Sequence, residues 1–366
     1  MKVVTIGSAI IDLIVVIDDE RIERMTMRNA ESSFLLVETG RKIDAKSISR
    51  HVGGGAVNAA VAMARLGVDT TTLAKLGDDR FADEVAERLR AEGVSTAGLL
   101  RDPRDATGAS VLISAHDRDA AIFTNRGANT LLSADDATPE MLEADLVYIG
   151  PLSNEAAEAF PRLVELAKAA GARVATNPGI RQLSRRTGPF MRTLPMIDIL
   201  SLNRREASAL VPHLVDRHGE GGAPLPPLEG LEVPELGLRG LEAGGFDMAL
   251  ARFFAALHAE GVGHVLVTDG RRGAFASDGA RILHRPAEEV AVVGTAGAGD
   301  AFASTFCAWL AEGGALEDAL EAATWNAAAV IGHVDTQTGL LARPALERRL
   351  AEGRAAGRIA AWPADA

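Results

Sequence analysis

Residues 145–177 read DLVYIGPLSNEAAEAFPRLVELAKAAGARVATN. The run DLVYIG (145–150) is short, apolar and closed by glycine, and RVATN (173–177) is a second short run of strand character. Between them the spacing predicts a helix from Glu155 to Ala170, with Gly171 as its left-handed stop. Strands that are apolar almost throughout belong to a parallel sheet covered on both faces, because a half-exposed strand alternates polar with apolar side chains. The alternation extends in both directions. Upstream lie KVVTIG (2–7), a helix from Ala56 to Leu66 stopped by Gly67, the strand TTTLAKLG (70–77) and the helix FADEVAERLRAEG (81–93). Downstream lie DILSLN (198–203) and HVLVTDG (264–270). The fold class is α/β with a mostly parallel central sheet.

The 366 residues allow one large α/β domain with an appendage, or two domains. An apolar fraction of 47% supplies a sizeable core and excludes bulk disorder. No apolar run reaches the ~18 residues of a membrane span, so no membrane role is expected. The opening stretch MKVVTIGSAIIDLIVVIDD is broken by Asp12 and followed by no small-residue cleavage site, so it reads as a first buried strand. The single cysteine, Cys307, forms neither an internal disulfide nor a multi-thiolate zinc site, which fits a reducing, cytoplasmic setting. A net charge of −12, from 38 basic and 50 acidic side chains, argues against nucleic acid as a partner. Small phosphate-bearing ligands remain open, since helix-start amides hold them without net positive charge.

Three regions break the alternation. Residues from about Thr26 to Arg50 and from Gly108 to Thr124 are half-polar and β-like; they predict a separate β lid, with boundaries of about 13–50 and 108–124. Residues 216–245 are rich in Gly, Pro and Glu without a period and predict a surface insertion or mobile loop. Residues 341–366 predict a helical tail after a domain spanning 1–340.

Four constellations carry chemical potential. Val293-Gly294-Thr295-Ala296-Gly297-Ala298-Gly299-Asp300 precedes a helix with Phe302, Phe306 and Leu310 at steps of four. Small residues there leave the amides of 297–299 open to an anion, and Asp300 beside it can accept a hydroxyl proton. The bland alternative is a glycine-rich turn capped by Asp300. Gly53-Gly54-Gly55 before a helix carrying Asn58 permits close backbone approach to a ligand, or is a flexible turn. Asp12, just past the first strand, lies at the end of the sheet where open α/β folds bind ligands, or is a solvated turn residue. Asn203 and Glu206 read equally as a capping box and as groups beside a phosphate-bound magnesium ion. His213 and His218 lack metal-ligand spacing, and Met25 and Met27 read as lid packing. Neither a GxSxG elbow, nor a Walker P-loop, nor a GxGxxG after the first strand is present.

In that order along the chain, Asp12, Gly-Gly-x-x-x-Asn at 54–58, Asn-x-x-Glu at 203–206 and Gly-Ala-Gly-Asp at 297–300 resemble one family. It is the ribokinase-like carbohydrate kinases of phosphofructokinase-B type, which include nucleoside kinases. The resemblance spans roughly 1–210 and 246–340 and implies a three-layer α/β/α sandwich with a small β lid. It implies Asp300 as catalytic base and Gly297, Ala298 and Gly299 as the anion hole. Asp12, Gly54, Gly55 and Asn58 would hold the sugar. Asn203 and Glu206 would organise the triphosphate, with Glu206 reaching magnesium through water. Thr268, Gly270 and Gly273 in VTDGRRGAFA (267–276) would line the nucleotide, and Asn326 would lie near the adenine. The implied cofactors are ATP and Mg2+, and lids of this kind pair two subunits, implying a homodimer.

One departure concerns potassium. Relatives carry Asp where this chain has Gly294, and that carboxylate helps bind an activating monovalent cation, so little potassium dependence is expected. Gly150-Pro151-Leu152-Ser153-Asn154 lacks the Ser-Gly-Ser-x-Pro pattern of members acting on sugar phosphates, which points to an unphosphorylated acceptor. Asn125-Arg126-Gly127-Ala128-Asn129 resembles the Gly-Ala-Asn stretch of ribokinases. The order of acceptors is a ribose-like aldose or ketose, then a nucleoside, then a ketodeoxy sugar acid. A dehydrogenase reading fails on the position of its glycine-rich turn. A non-catalytic sugar-binding regulator on the same fold is the remaining rival, and it has no need to keep Asp300.

Overall fold

Eighteen strands are assigned among the described residues of the computed structural model, which are 1–17, 23–26, 33–36, 40, 42–114, 120–230, 232–356 and 358–364. Those of the first half are β1 (Lys2–Ile6), β2 (Ile10–Ile17), β3 (Glu23–Thr26), β4 (Ser33–Leu36), β5 (Ala45–Gly53), β6 (Asp69–Leu76), β7 (Leu99–Arg101), β8 (Gly108–Ser114), β9 (Ala120–Asn125) and β10 (Leu146–Ile149). There follow β11 (Arg173–Thr176), β12 (Ile199–Asn203), β13 (Leu241–Ala243), β14 (Phe246–Met248), β15 (His264–Thr268), β16 (Ala274–Ser277), β17 (Arg281–Arg285) and β18 (Ala360–Pro363). Parts of the expected lid (18–22, 27–32, 37–39, 41 and 115–119) lie outside the described residues, as do Met27 and the side chain of Met25.

The central sheet runs β18-β17-β16-β15-β12-β11-β10-β1-β6-β7. Its pairs are parallel from β7 to β15, and the last three strands join antiparallel. Alternate residues of each strand enter opposite cores, as a period of two requires. On β10, Val147 and Ile149 pack with the helices Phe160–Ala169, Arg204–His218 and Leu250–Ala259. Leu146 and Tyr148 pack with the helices Ala298–Ala311 and Leu316–Val330 on the other face. This is the expected α/β/α arrangement.

The opening apolar run is two strands in two sheets. β1 belongs to the central sheet, and after Gly7–Ala9 the chain enters β2 of a four-stranded lid ordered β5-β2-β8-β9. Apolar content alone could not place that break, because both strands are largely buried on the faces they present to the body. The helix expected over Glu155–Ala170 begins instead with a 3-10 segment, Asn154–Ala159, and becomes α-helical at Phe160. Pro161 sets that start, since proline is tolerated in the first turn and not within a helix.

Two further expectations need correction. The 216–245 stretch is not a loose surface loop: its first residues finish the Arg204–His218 helix, and it then forms a short helix (Glu235–Arg239) and the hairpin β13–β14. Leu225, Val233, Leu236 and Leu241 from it are buried in the main core. Their irregular spacing hid this, because each anchors a separate short element. The tail after residue 340 is not wholly helical either. The helix Arg343–Ala356 is followed by β18, which pairs with β17 and buries Trp362. The Trp362 indole donates to Pro226 O at 2.8 Å, tying the tail to the 216–245 stretch.

Candidate active site

The helix Ala298–Ala311 is entered through Gly297, which sits in the left-handed region at φ +78°. A Cβ there would stand 2.6 Å from Thr336 Cβ, so only glycine both turns the chain and clears the neighbouring loop. The first amide taken up inside the helix is that of Ala301, donating to Gly297 O at 2.9 Å. The amides of Ala298, Gly299 and Asp300 therefore have no intrahelical partner, and Ala298 and Gly299 line the large cleft. With the helix dipole they form a site for an anion.

Asp300 in the first turn of that helix is held by Asn58, whose Nδ2 donates to Asp300 Oδ2 at 2.8 Å. Asn58 is itself clamped: its carboxamide oxygen accepts from Thr336 Oγ1 at 2.8 Å and from Gln337 Nε2 at 3.1 Å. The buried Gln337 also donates to Val52 O at 2.9 Å and accepts from Arg88 Nε at 2.9 Å. Asn58, expected on the sugar, thus spends one amide hydrogen on Asp300 and its whole acceptor capacity on the 331–342 loop. Burial raises the Asp300 pKa above the ordinary carboxylate value; Asn58 opposes that rise and the Asp12 charge adds to it. Thr336 and Gln337 were not found from sequence. The available signal was Asp335, whose Oδ1 accepts from the amides of Gln337 and Thr338 at 2.8 Å, an Asx-type turn.

On the lid, Asp12 is a buried residue of β2 and not a turn residue. It stands opposite His51 of β5 and Ser110 of β8, and Ser110 stands opposite Thr124 of β9. These four make one polar row across the lid. Ser110 Oγ donates to Asp12 Oδ1. Desolvation raises the Asp12 pKa, against the hydrogen bond from Ser110 and the nearby His51. Gly54 has φ +103°, and a Cβ there would meet Ser8 O at 2.5 Å. That close approach lets Ala56 N donate to Ser8 O at 3.1 Å and draws the glycine turn against the start of the lid. The next residue, Gly55, would place a Cβ 3.7 Å from Asp300 Oδ1. The glycine turn and Asp300 therefore share one wall.

Beyond this helix entrance opens a cleft of ≈ 840 Å³ lined by Thr268, Gly270, Gly273, Ala298, Gly299 and Phe302, among others. Thr268, Gly270 and Gly273 are thus brought to the same space as Ala298 and Gly299. Asn326 is not: its Nδ2 donates to Thr305 Oγ1 at 2.6 Å and its Oδ1 accepts from Leu341 N at 2.8 Å, both inside the body. Its helix turns about 100° per residue, so the next residues, Ala327 and Ala328, line the cleft instead. Asn203 ends β12 directly beside Thr268 of β15. It forms the expected capping box: Asn203 Oδ1 accepts from Glu206 N at 2.9 Å, and Glu206 Oε2 accepts from Asn203 N at 2.9 Å. Yet Glu206 is also buried, and desolvation with the Asp300 charge pushes its pKa up to about 7 against the bonds from Asn203. The capping reading of this pair is therefore observed in the structure. A lone hard carboxylate suits magnesium, which takes one or two carboxylates with waters and substrate phosphates. Among the described residues no cluster of three metal-ligating side chains exists.

Comparisons with known proteins show the family and the fold. The model of the pfkB family carbohydrate kinase matches residues 1–220 and 241–343, and the interval between them holds the short helix Glu235–Arg239. A deoxyribokinase of Salmonella typhi is 26% identical over 343 residues, covering 92% of this chain and 95% of that protein. A ribokinase of Bacillus subtilis is 27% identical over 322 residues, covering 86% and 92%. The structure of Arabidopsis thaliana ribokinase complexed with ribose and ATP superposes with a TM-score of 0.71 at 24% identity, over 95% of this chain and 98% of that one. The chain belongs to the pfkB family and is a carbohydrate-kinase phosphotransferase with a ribokinase-like fold.

Proposed function

We propose that this kinase transfers the γ-phosphoryl group of MgATP to a hydroxymethyl group of an unphosphorylated sugar, a ribose-like aldose or ketose. The observation that carries the reading is the position of Asp300. It lies at a helix start with free amides, between the cleft lined by Thr268 and Gly270 and the glycine turn beneath the lid. MgATP, when bound, supplies the phosphoryl group and the cation that neutralises its charge. Ala298 and Gly299 direct their amides at that group, and Asp300 accepts the proton of the attacking hydroxyl. A carboxylate is a weak base towards an alcohol, so the proton moves late and positioning supplies most of the rate. Asn58, fixed by Thr336 and Gln337, keeps the Asp300 carboxylate aimed. Asp12 binds acceptor hydroxyls, with the lid excluding water. Asn203 and Glu206 orient the triphosphate and, through water, magnesium.

The lid offers a surface for a second subunit. Leu13, Val15, Val111, Ile113 and Phe123 share its outer face with Ile48, and Ile48 and Phe123 are 69% and 63% exposed. The absence of a carboxylate at Gly294 supports potassium-independent turnover; a Cβ there would already stand 3.0 Å from His333 O. A coupled assay for ADP release across a panel of sugars and nucleosides tests the reading. Turnover with a free sugar is expected; turnover with nucleosides alone reassigns the acceptor, and none with any acceptor, beside calorimetric sugar binding, favours the non-catalytic rival.

A further inference from the structure

A second, smaller cavity of ≈ 40 Å³ lies on the acceptor side, lined by Ser8, Thr124, Arg126, Asn129, Pro151 and Ser153 with four neighbours. It shares a wall with the base. The Cβ position of Gly55 that lies 3.7 Å from Asp300 Oδ1 also lies 3.1 Å from Pro151 Cδ and 3.9 Å from Ser8 Oγ. Thr124 connects it to the polar row that contains Asp12. Among the described residues no carboxylate lines it. Arg126 is half-buried there, and among the described residues no hydrogen bond or ion pair engages its guanidinium. Its backbone carbonyl is held by Asn129 Nδ2 at 2.9 Å, and Asn129 in turn grips Ala9 through both its amide groups, so the turn bearing Arg126 is fixed. Desolvation and the like charge of Arg181 both hold the Arg126 pKa below its ordinary value. A half-buried cation that repels its neighbour and pairs with nothing among the described residues is costly, unless a ligand completes it.

We propose that Arg126, with Arg181 adding charge, is a specificity-determining site for an oxyanion on the acceptor, remote from the hydroxyl that is phosphorylated. This rests on the proposed kinase reaction and refines its acceptor from a neutral sugar to a charged one. At roughly 10–15 Å³ for each water-sized group, the cavity admits about three non-hydrogen atoms, the size of a carboxylate. A sugar acid is therefore the favoured source and a sugar phosphate ester the other; both present the same fork of oxygens to a guanidinium.

The test compares ribose and 2-deoxyribose with gluconate, 2-keto-3-deoxygluconate and fructose 6-phosphate, using the wild type, Arg126→Gln and Arg126→Lys. In the wild type an anionic acceptor is expected to exceed the best neutral one in kcat/KM. Arg126→Gln is expected to lower that anionic-to-neutral ratio about 100-fold, mainly through KM, and Arg126→Lys to recover part of it. The unliganded Arg126→Gln protein is expected to melt at or above the wild-type temperature; a clear loss of Tm marks a structural arginine and overturns the proposal. Fructose 6-phosphate outrunning the sugar acids assigns the same site to a phosphate ester. Neutral sugars preferred, with a ratio unmoved by Arg126→Gln, overturn the inference and leave the kinase reading standing. If no acceptor releases ADP the kinase reading falls, and the inference is decided by melting. Gluconate or fructose 6-phosphate raising the Tm of the wild type but not of Arg126→Gln sustains it, and no difference ends it.

Discussion

Replacing Glu206 with glutamine separates the charge of this side chain from its hydrogen bonds. The capping box needs an oxygen to accept from Asn203 N at 2.9 Å, and a glutamine carbonyl can supply it. What glutamine removes is a buried carboxylate whose pKa is raised from 4.5 to about 7, chiefly by desolvation. A raised folded-state value means that the stabilising contribution is complete below 4.5 and is lost as pH climbs through about 7. At about 1.36 kcal/mol per pH unit, the full loss is roughly 3 kcal/mol. Denaturant melts at pH 5, 6.5 and 8 read this directly. Glu206→Gln should gain stability relative to the wild type as pH rises, by up to roughly 3 kcal/mol at pH 8. In the same variant the magnesium concentration for half-maximal turnover should rise about 10-fold or more, as for loss of a group that orients metal-bound water. A variant no more stable than the wild type at pH 8 would refute the view that Glu206 holds a desolvated charge awaiting a cation.

Other consequences follow from the same geometry. Gln337→Ala, which frees Asn58 and strands buried polar groups, should lower kcat by about 10- to 100-fold while the Kd for ATP moves little; steady-state kinetics and calorimetry read the two separately. Gly54→Ala forces a Cβ onto Ser8 O from a left-handed backbone and should cost about 2 kcal/mol or more in a denaturant melt, with loss of acceptor turnover. Exchanging sodium for potassium at constant ionic strength should change the rate less than about 2-fold, as expected of a cation site that lacks its carboxylate; strong activation would place an equivalent carboxylate elsewhere.

The parallel sheet was legible because its strands, such as DLVYIG (145–150), are apolar on both faces, and the glycine-rich helix entrance because small residues precede Phe302, Phe306 and Leu310 at steps of four. Less legible was anything set by contacts between distant segments. The split of the opening run depends on which sheet receives Ile10–Ile17, a choice made by pairing with β5 and β8 and not by local composition. The burial of Leu225, Val233 and Leu236 and the pairing of Ala360–Pro363 depend on docking, which leaves no period. In the site, the family motif named Asn58 and Asp300 but not that the first orients the second. It also put Asn326 in the cleft, where a rotation of one residue along the helix brings Ala327 and Ala328 instead. Arg126 sat inside a quoted motif, yet only its partial burial, with no partner among the described residues, suggests the role proposed for it.

The decisive measurement is single-turnover phosphoryl transfer by Asp300→Asn beside calorimetric titration of the same protein with MgATP. Asparagine keeps the shape of the helix entrance and an oxygen for Asn58 Nδ2, but cannot take a proton. The rate is expected to fall by about 100-fold or more with the nucleotide Kd within a few-fold of the wild type. Transfer at the wild-type rate would contradict the assignment of the base.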